Sequence, residues 1–181
     1  MLYVKRSQIP KAGKGLYTDA AIKKDEYFIE YEGEEITWDE VMKRSENGRG
    51  GYAFYITKKK CIDAFDYPDA LARYANDARG LTRIPGLRNN ALYAIRKGKP
   101  FIQATRDIKP GEEIFVYYGP DYWKEHAEEV AAYKKRVRSE AAKRAWETRR
   151  GKTRNGKTHA NASRKSAAKT RGAKASTKAP R

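Results

Sequence analysis

From residue 1 to about 122 the apolar positions come in short runs with partial alternation, the pattern of brief strands. The runs predict strands at Leu2–Ile9, Gly15–Asp19, Tyr27–Tyr31, Tyr52–Thr57, Ala91–Ile95, Pro100–Ala104 and Glu113–Tyr118. Turn signals separate them: Lys11-Ala12-Gly13, Glu32-Gly33, Arg49-Gly50-Gly51, Lys97-Gly98 and Lys109-Pro110-Gly111. One helix interrupts the series. Thr37 followed three residues later by Glu40 is a capping box before a helical run. A shorter helical turn is predicted over Asp69–Tyr74. No strand pair is joined by the long helical crossover that parallel units need, so the pattern predicts several small sheets linked by turns. Residues 78–90 are polar and irregular, with two glycines and one proline, and read as an exposed connection or a binding loop.

From 121 to 150 the pattern changes to helix, rich in Ala, Glu, Lys and Arg. Tyr122, His126, Val130, Tyr133 and Val137 fall at three- and four-residue spacing and predict one face. Gly151 marks an expected stop. Residues 151–181 contain no aliphatic side chain larger than Ala and are expected to be disordered on their own. The division is therefore residues 1–123, a C-terminal helix over 124–150, and a basic tail over 151–181.

Charge sharpens this division. The chain has 181 residues and a net charge of +17, and the last 31 residues hold ten Lys or Arg and no acid. The excess suggests an acidic partner such as nucleic acid, and equally suits a solubilising tail. A single Cys61 excludes an internal disulfide, and with only His126 and His159 there is no zinc cluster. The opening MLYVKRSQIPKAGKG lacks the apolar core of a signal peptide, and no apolar run approaches the length of a membrane span.

Several chemistries are not supported. There is no GxGxxG fingerprint, no phosphate loop around Lys14, no GxSxG elbow and no plausible Ser/His/Asp triad. What stands out is tyrosine: thirteen residues, twelve of them before residue 123. Most such rings serve as core with a wet hydroxyl. A cluster of them also suits a cationic guest, because aromatic faces attract ammonium and sulfonium groups.

The ordered segments resemble the SET-domain lysine methyltransferases. They run Arg6-Ser7-Gln8-Ile9 to Gly13-Lys14-Gly15-Leu16-Tyr17, then Glu30-Tyr31-Glu32-Gly33, Tyr52-Ala53-Phe54, Ile62-Asp63-Ala64 and Arg73-Tyr74-Ala75-Asn76. They continue through Asn90-Ala91-Leu92-Tyr93, Arg106-Asp107-Ile108, Gly111-Glu112-Glu113-Ile114 and Tyr117-Tyr118-Gly119. The compact ending Asp121-Tyr122-Trp123 is most similar to small viral and bacterial members. The resemblance implies a mainly β SET fold with a pseudoknot-like C-terminal segment, followed here by the helix and the tail. It implies S-adenosylmethionine as methyl donor and a lysine-containing basic protein, histone or nucleoid-like, as acceptor.

The resemblance also implies roles. Tyr118 matches the catalytic tyrosine. Lys14, Gly15 and Leu16 match a cofactor-cradling turn, with Gly15 allowing close approach of the main chain. Arg73, Asn76 and Asp77 match a second cofactor segment, and Trp123 is expected to fold over the adenine. Tyr52 and Tyr93 match catalytic rings of the substrate channel, Tyr52 also approaching the methyl donor, and Phe101 is placed on the same floor. The Tyr93 hydroxyl points to mono- or dimethylation. No metal is implied.

Two positions depart from the family pattern. Where it has Asn-His-Ser-Cys closely followed by Pro-Asn, this chain has Asn76-Asp77-Ala78-Arg79, and Asn90 comes only after eleven more residues. Where many members have Asp before the tyrosine, this chain has Tyr117. The tail reads as an inert extension, as a nonspecific nucleic-acid contact, or as a carrier of acceptor lysines. Arg164-Lys165-Ser166-Ala167 and Thr177-Lys178-Ala179-Pro180-Arg181 look like short pieces of histone H3 tails. The readings that compete with the enzyme are a nucleic-acid-binding architectural protein and a methyl-lysine reader, each on a degenerate SET fold. Helix 121–150 suits either packing on the domain or pairing in a homodimer. The expected setting is the cytoplasm or nucleoid of a bacterium, or a host nucleus for a viral or secreted protein. No membrane association is expected.

Overall fold

The computed structural model describes residues 1–81 and 83–171, and side chains only as far as Arg150. The chain divides into two units, Met1–Val130 and Ala131–Arg181. In the first unit nine short strands form three antiparallel sheets of three strands each. The strands are β1 (Leu2–Arg6), β2 (Lys14–Thr18), β3 (Tyr27–Glu30), β4 (Glu34–Ile36), β5 (Ala53–Thr57), β6 (Lys60–Asp63), β7 (Ala91–Arg96), β8 (Lys99–Ala104) and β9 (Glu113–Ile114). Their orders are β1-β2-β9, β3-β8-β7 and β4-β6-β5.

Local chemistry explains most of these elements. The β7–β8 hairpin closes over Lys97 and Gly98, both at positive φ (51° and 72°). Such a two-residue turn matches the twist of the flanking strands and favours Gly. Helix α1 (Trp38–Glu46) starts at Thr37, whose hydroxyl accepts from the Glu40 N–H at 3.3 Å. The reciprocal half of the capping box is not used. The Glu40 carboxylate instead accepts from Arg44 Nε at 3.2 Å. The expected turn near residue 70 is a 3-10 turn at Leu71–Tyr74.

Strands β4 and β6 were not legible as strands. The sequence of β4 is Glu-Glu-Ile with both acids exposed, and β6 follows a run of lysines with no Gly or Pro to mark it. Yet β6 is the centre of its sheet, with Cys61, Ile62 and Asp63 all buried. The expected strand Glu113–Tyr118 keeps only Glu113 and Ile114 in a sheet, paired with Tyr17 and Leu16. Beyond them the backbone bonds go to loops. Phe115 bridges Asn76 in parallel, the Val116 N–H donates to Asn76 O at 2.8 Å, and the Asn90 and Ala91 N–H groups donate to Phe115 O. The fully buried Asn90 side chain locks the segment from its other side. It donates to Glu113 O and accepts from the Phe115 N–H, both at 2.8 Å. Residues 113–118 thus run between the 75–77 and 89–91 segments, the pseudoknot-like arrangement expected.

One core lies under all three sheets. It includes Leu16, Ile22, Ile62, Ile102, Ile108, Ile114 and Val116, with Tyr52, Phe54, Tyr93 and Tyr118 half-buried against it.

The predicted helix 121–150 is two helices. Helix α2 (Pro120–Glu125) begins after Gly119 at φ 94° and ends at His126, and α3 runs from Ala127 to Arg171. Tyr122, His126, Val130, Tyr133 and Val137 are half-buried, which matches the predicted face. The helix does not stop at Gly151. Ala, Lys and Arg dominate the sequence beyond, and the two interior glycines, Gly151 and Gly156, cost a helix only about 1 kcal/mol each. Of the tail expected to be disordered on its own, residues 172–181 lie outside the described residues.

Candidate active site

Tyr118 is held at both ends. Its N–H donates to Asp77 Oδ2 at 3.1 Å and its phenol donates to Ala75 O at 2.9 Å. Tyr122 meets its ring edge-on with centroids 4.7 Å apart, and Trp123 stacks on it at 6.3 Å. Burial, reinforced by the neighbouring phenols of Tyr122 and Tyr31 and by Asp77, pushes the Tyr118 phenol far above its ordinary value. Tyr93 is pushed up in the same way, by burial first and then by Tyr118, Tyr31 and Asp77. Both hydroxyls are therefore neutral donors at physiological pH, not bases.

The wall beside them is aromatic. Tyr31, Phe54 and Tyr93 form a triangle with centroid separations of 5.8, 5.1 and 5.8 Å. The Tyr31 phenol donates to Tyr52 O at 2.9 Å, tying this triangle to the Tyr52 backbone. The Arg73 guanidinium lies over the Tyr52 ring at 4.0 Å. Arg73 Nε is buried without a hydrogen-bond partner, an orphaned donor beside the rings.

The two segments expected to hold a cofactor meet. Asn76 Nδ2 donates to Lys14 O at 2.9 Å, and Lys14 Nζ lies 5.5 Å from the Tyr74 ring centroid. Leu16 is wholly buried in the core, so it offers only main chain. Gly15 differs from expectation. Its close approach is to Glu113: a Cβ there would overlap Glu113 Oε1 and lie 2.8 Å from Glu113 Cδ and 3.2 Å from Ser7 Cα. Trp123 is buried at 6% exposure, with its indole N–H donating to Asp77 Oδ2 at 2.8 Å and Arg79 over its ring at 5.0 Å.

Two residues need correction. Phe101 does not share a floor with Tyr93. In the β7–β8 register Tyr93 faces Ile102 while Phe101 faces Ala94, and alternation puts the two rings on opposite faces. Phe101 packs instead on Tyr27, with centroids 6.3 Å apart. Asp77, read within a cofactor segment, could meet a cofactor only through its main chain, because its carboxylate is fully engaged by protein donors. Sequence reading also missed Tyr31, Phe54 and Tyr122 as site residues. All three lie inside segments that carry the resemblance, but none has a spacing that separates site from core.

An aromatic site with neutral hydroxyls and an unpaired arginine donor suits a cationic group that also carries a carboxylate. No group of acidic, His or Cys side chains that could hold a metal occurs among the described residues.

Comparison with known proteins agrees with this architecture. The family model of the SET domain matches residues 13–119. The chain is 32% identical over 127 residues to "Histone-lysine N-methyltransferase EZH2" of Chaetomium thermophilum, spanning 65% of this chain and 8% of that protein. It is 30% identical over 117 residues to "N-lysine methyltransferase KMT5A-A" of Danio rerio, spanning 59% and 32%. Among solved structures, the Chaetomium thermophilum Polycomb Repressive Complex 2 in an autoinhibited conformation bound to S-adenosylmethionine superposes with a TM-score of 0.55 at 29% identity, over 71% of this chain and 16% of that one. The chain thus spans a small part of the relatives it matches. On the fold, the site and the match to residues 13–119, the chain belongs to the SET-domain family.

Proposed function

We propose that the chain is an S-adenosylmethionine-dependent protein-lysine N-methyltransferase whose acceptors are basic, histone-like proteins. The single observation that carries this reading is the cluster of Tyr118, Tyr93, Tyr31 and Phe54 on one core, with Tyr118 bonded to Ala75 next to the Asn76 that contacts Lys14, and with every titrating phenol among them raised. When bound, the donor supplies an electrophilic methyl on a sulfonium. Everything else falls to the chain's own residues.

The acceptor amine must be neutral, although a free lysine holds its proton to about pH 10.4. An apolar, ring-lined channel disfavours the ammonium and lowers that value. The amine gives its proton to water, because the phenols are neutral and the Asp77 carboxylate is already filled by four donors. Tyr118, fixed at N–H and O–H, holds one wall of the channel in place, and alignment does most of the remaining work. Carbonyl oxygens such as Ala75 O stabilise positive charge as the methyl moves. Arg73 Nε is the donor best placed for the carboxylate of an amino-acid-like methyl source. Tyr93, packed against Tyr31 and Phe54, narrows the acceptor end, which supports addition of one or two methyls rather than three.

The second unit fits a partner role. Residues 131–181 carry 18 Lys or Arg and two Glu, a net +16, which leaves +1 of the +17 for residues 1–130. The catalytic unit is nearly neutral, and the basic helix and tail supply sequence-blind attachment to nucleic acid. Such attachment would bring the site to proteins that coat nucleic acid. The same lysines are acceptors for self-methylation.

The test is incubation of the full chain with labelled S-adenosylmethionine and core histones, followed by mapping of the label by mass spectrometry. Label on histone lysines is the expected result. Donor binding without label on any protein would favour a methyl-lysine reader. Label confined to histones, with none in residues 152–178, would end the self-methylation proposal.

A further inference from the structure

Asp77 stands where the resemblance places histidine, and its surroundings are unlike those of an exposed loop acid. It is 2% exposed. Oδ2 accepts from the Trp123 indole at 2.8 Å and from the Tyr118 N–H at 3.1 Å. Oδ1 accepts from the Arg79 N–H at 2.9 Å and from the Asn89 side chain at 3.1 Å. The Asn89 carbonyl in turn accepts from the Ala78 N–H at 2.7 Å. A buried carboxylate is costly unless its lone pairs are satisfied, and here four donors converge on it. The donors come from three places: the tyrosine segment, helix α2 and both ends of the 78–90 loop.

We infer that Asp77 is a positioning residue, which sets Tyr118 and Trp123 and ties them to Arg79 and Asn89 at the two ends of the inserted segment. The inference rests on the methyltransferase reading above. Ala75 O holds the phenol of Tyr118 and Asp77 holds its N–H, so the two residues flanking Asn76 fix the side chain and the main chain of that tyrosine. The insertion before Asn90 does not disrupt the site, because Asn89 closes the loop's base on Asp77 and leaves Asn90 to clamp Phe115.

The geometry makes Asp77→Asn a sharp perturbation. Both edges of the carboxylate face N–H donors, so an amide NH2 must oppose donors whichever way it turns. If it faces Asn89, that side chain must flip and the Ala78 N–H loses its acceptor. If it faces Trp123, both site contacts are lost.

The test uses the full chain carrying Trp38→Phe and Trp146→Phe, so that Trp123 is the only tryptophan. Both replaced rings are exposed, at 37% and 55%. Asp77→Asn should weaken the near-ultraviolet circular dichroism of Trp123. It should also lower kcat for lysine methylation about tenfold while the peptide KM changes by less than about twofold, the signature of lost alignment. Asn89→Ala, with no bond to the tyrosine segment, should do both to a smaller extent. It also serves if Asp77→Asn does not fold. A folded Asp77→Asn or Asn89→Ala protein with unchanged Trp123 dichroism and unchanged kcat overturns the inference. If the parent protein transfers no methyl, the functional reading fails instead, and the dichroism still decides whether Asp77 sets Trp123.

Discussion

Gly15→Ala separates a structural role for the glycine turn from a ligand-binding one. The added Cβ would overlap Glu113 Oε1. That carboxylate is buried and cannot easily retreat. It accepts from Ser7 Oγ at 2.5 Å, from the Gln8 N–H at 2.8 Å and from the Tyr17 phenol at 2.7 Å. Restoring ordinary contact requires a shift of about 1 Å, enough to break bonds of this length. Each bond to a charged group contributes about 1.5–3 kcal/mol, and partial relaxation leaves an expected loss of about 3–5 kcal/mol. In a domain of this size that lowers Tm by about 10 °C or more. Gly51→Ala is the control, since its Cβ meets nothing within 4 Å and its φ is ordinary, and it should change stability by less than about 1 kcal/mol. Urea unfolding followed by far-ultraviolet circular dichroism measures both. If Gly15→Ala is no less stable than Gly51→Ala, Glu113 is not fixed against the turn. Intact stability with weakened donor binding would put the ligand there instead.

Two further outcomes follow from titration and charge. Tyr31, Tyr93 and Tyr118 have folded-state values raised by burial, so above pH about 10 the unfolded chain releases phenol protons that the folded chain keeps. Stability should be full below that pH and fall above it, by about 1.4 kcal/mol per pH unit per phenol; urea midpoints at pH 8 and 10.5 check the sign, and a flat profile contradicts it. Truncation after Val130 should abolish salt-sensitive binding to DNA and leave methylation of a short lysine peptide within about twofold, because residues 131–181 hold +16 of the net charge. Salt-sensitive DNA binding retained by residues 1–130 would refute the division of labour.

The sequence carried the elements whose signals are local. Lys97-Gly98 announced its hairpin, and Thr37 its helix start, because turn and cap chemistry act over two to four residues. It failed where structure depends on distant partners. β6 is a strand only because β4 and β5 flank it, and Val116 leaves the sheet because its own N–H goes to Asn76 O while Asn90 holds the adjacent Phe115. The site followed the same rule. Tyr118, Tyr93 and Tyr52 were reached through ordered segments, whereas the Tyr31–Phe54–Tyr93 triangle needed the fold. Phe101 was misplaced by one residue of register, which in a strand moves a side chain to the other face. Asp77 was read only as part of a cofactor segment, and only the folded contacts show that its carboxylate joins three parts of the site.

The most direct measurement compares wild type with Tyr118→Phe for donor binding and for lysine methylation in the same samples. The account predicts S-adenosylmethionine affinity within about threefold and turnover reduced by about a hundredfold, since the lost hydroxyl orders the ring against Ala75 O. Equal turnover by the two proteins would contradict a channel set by that phenol.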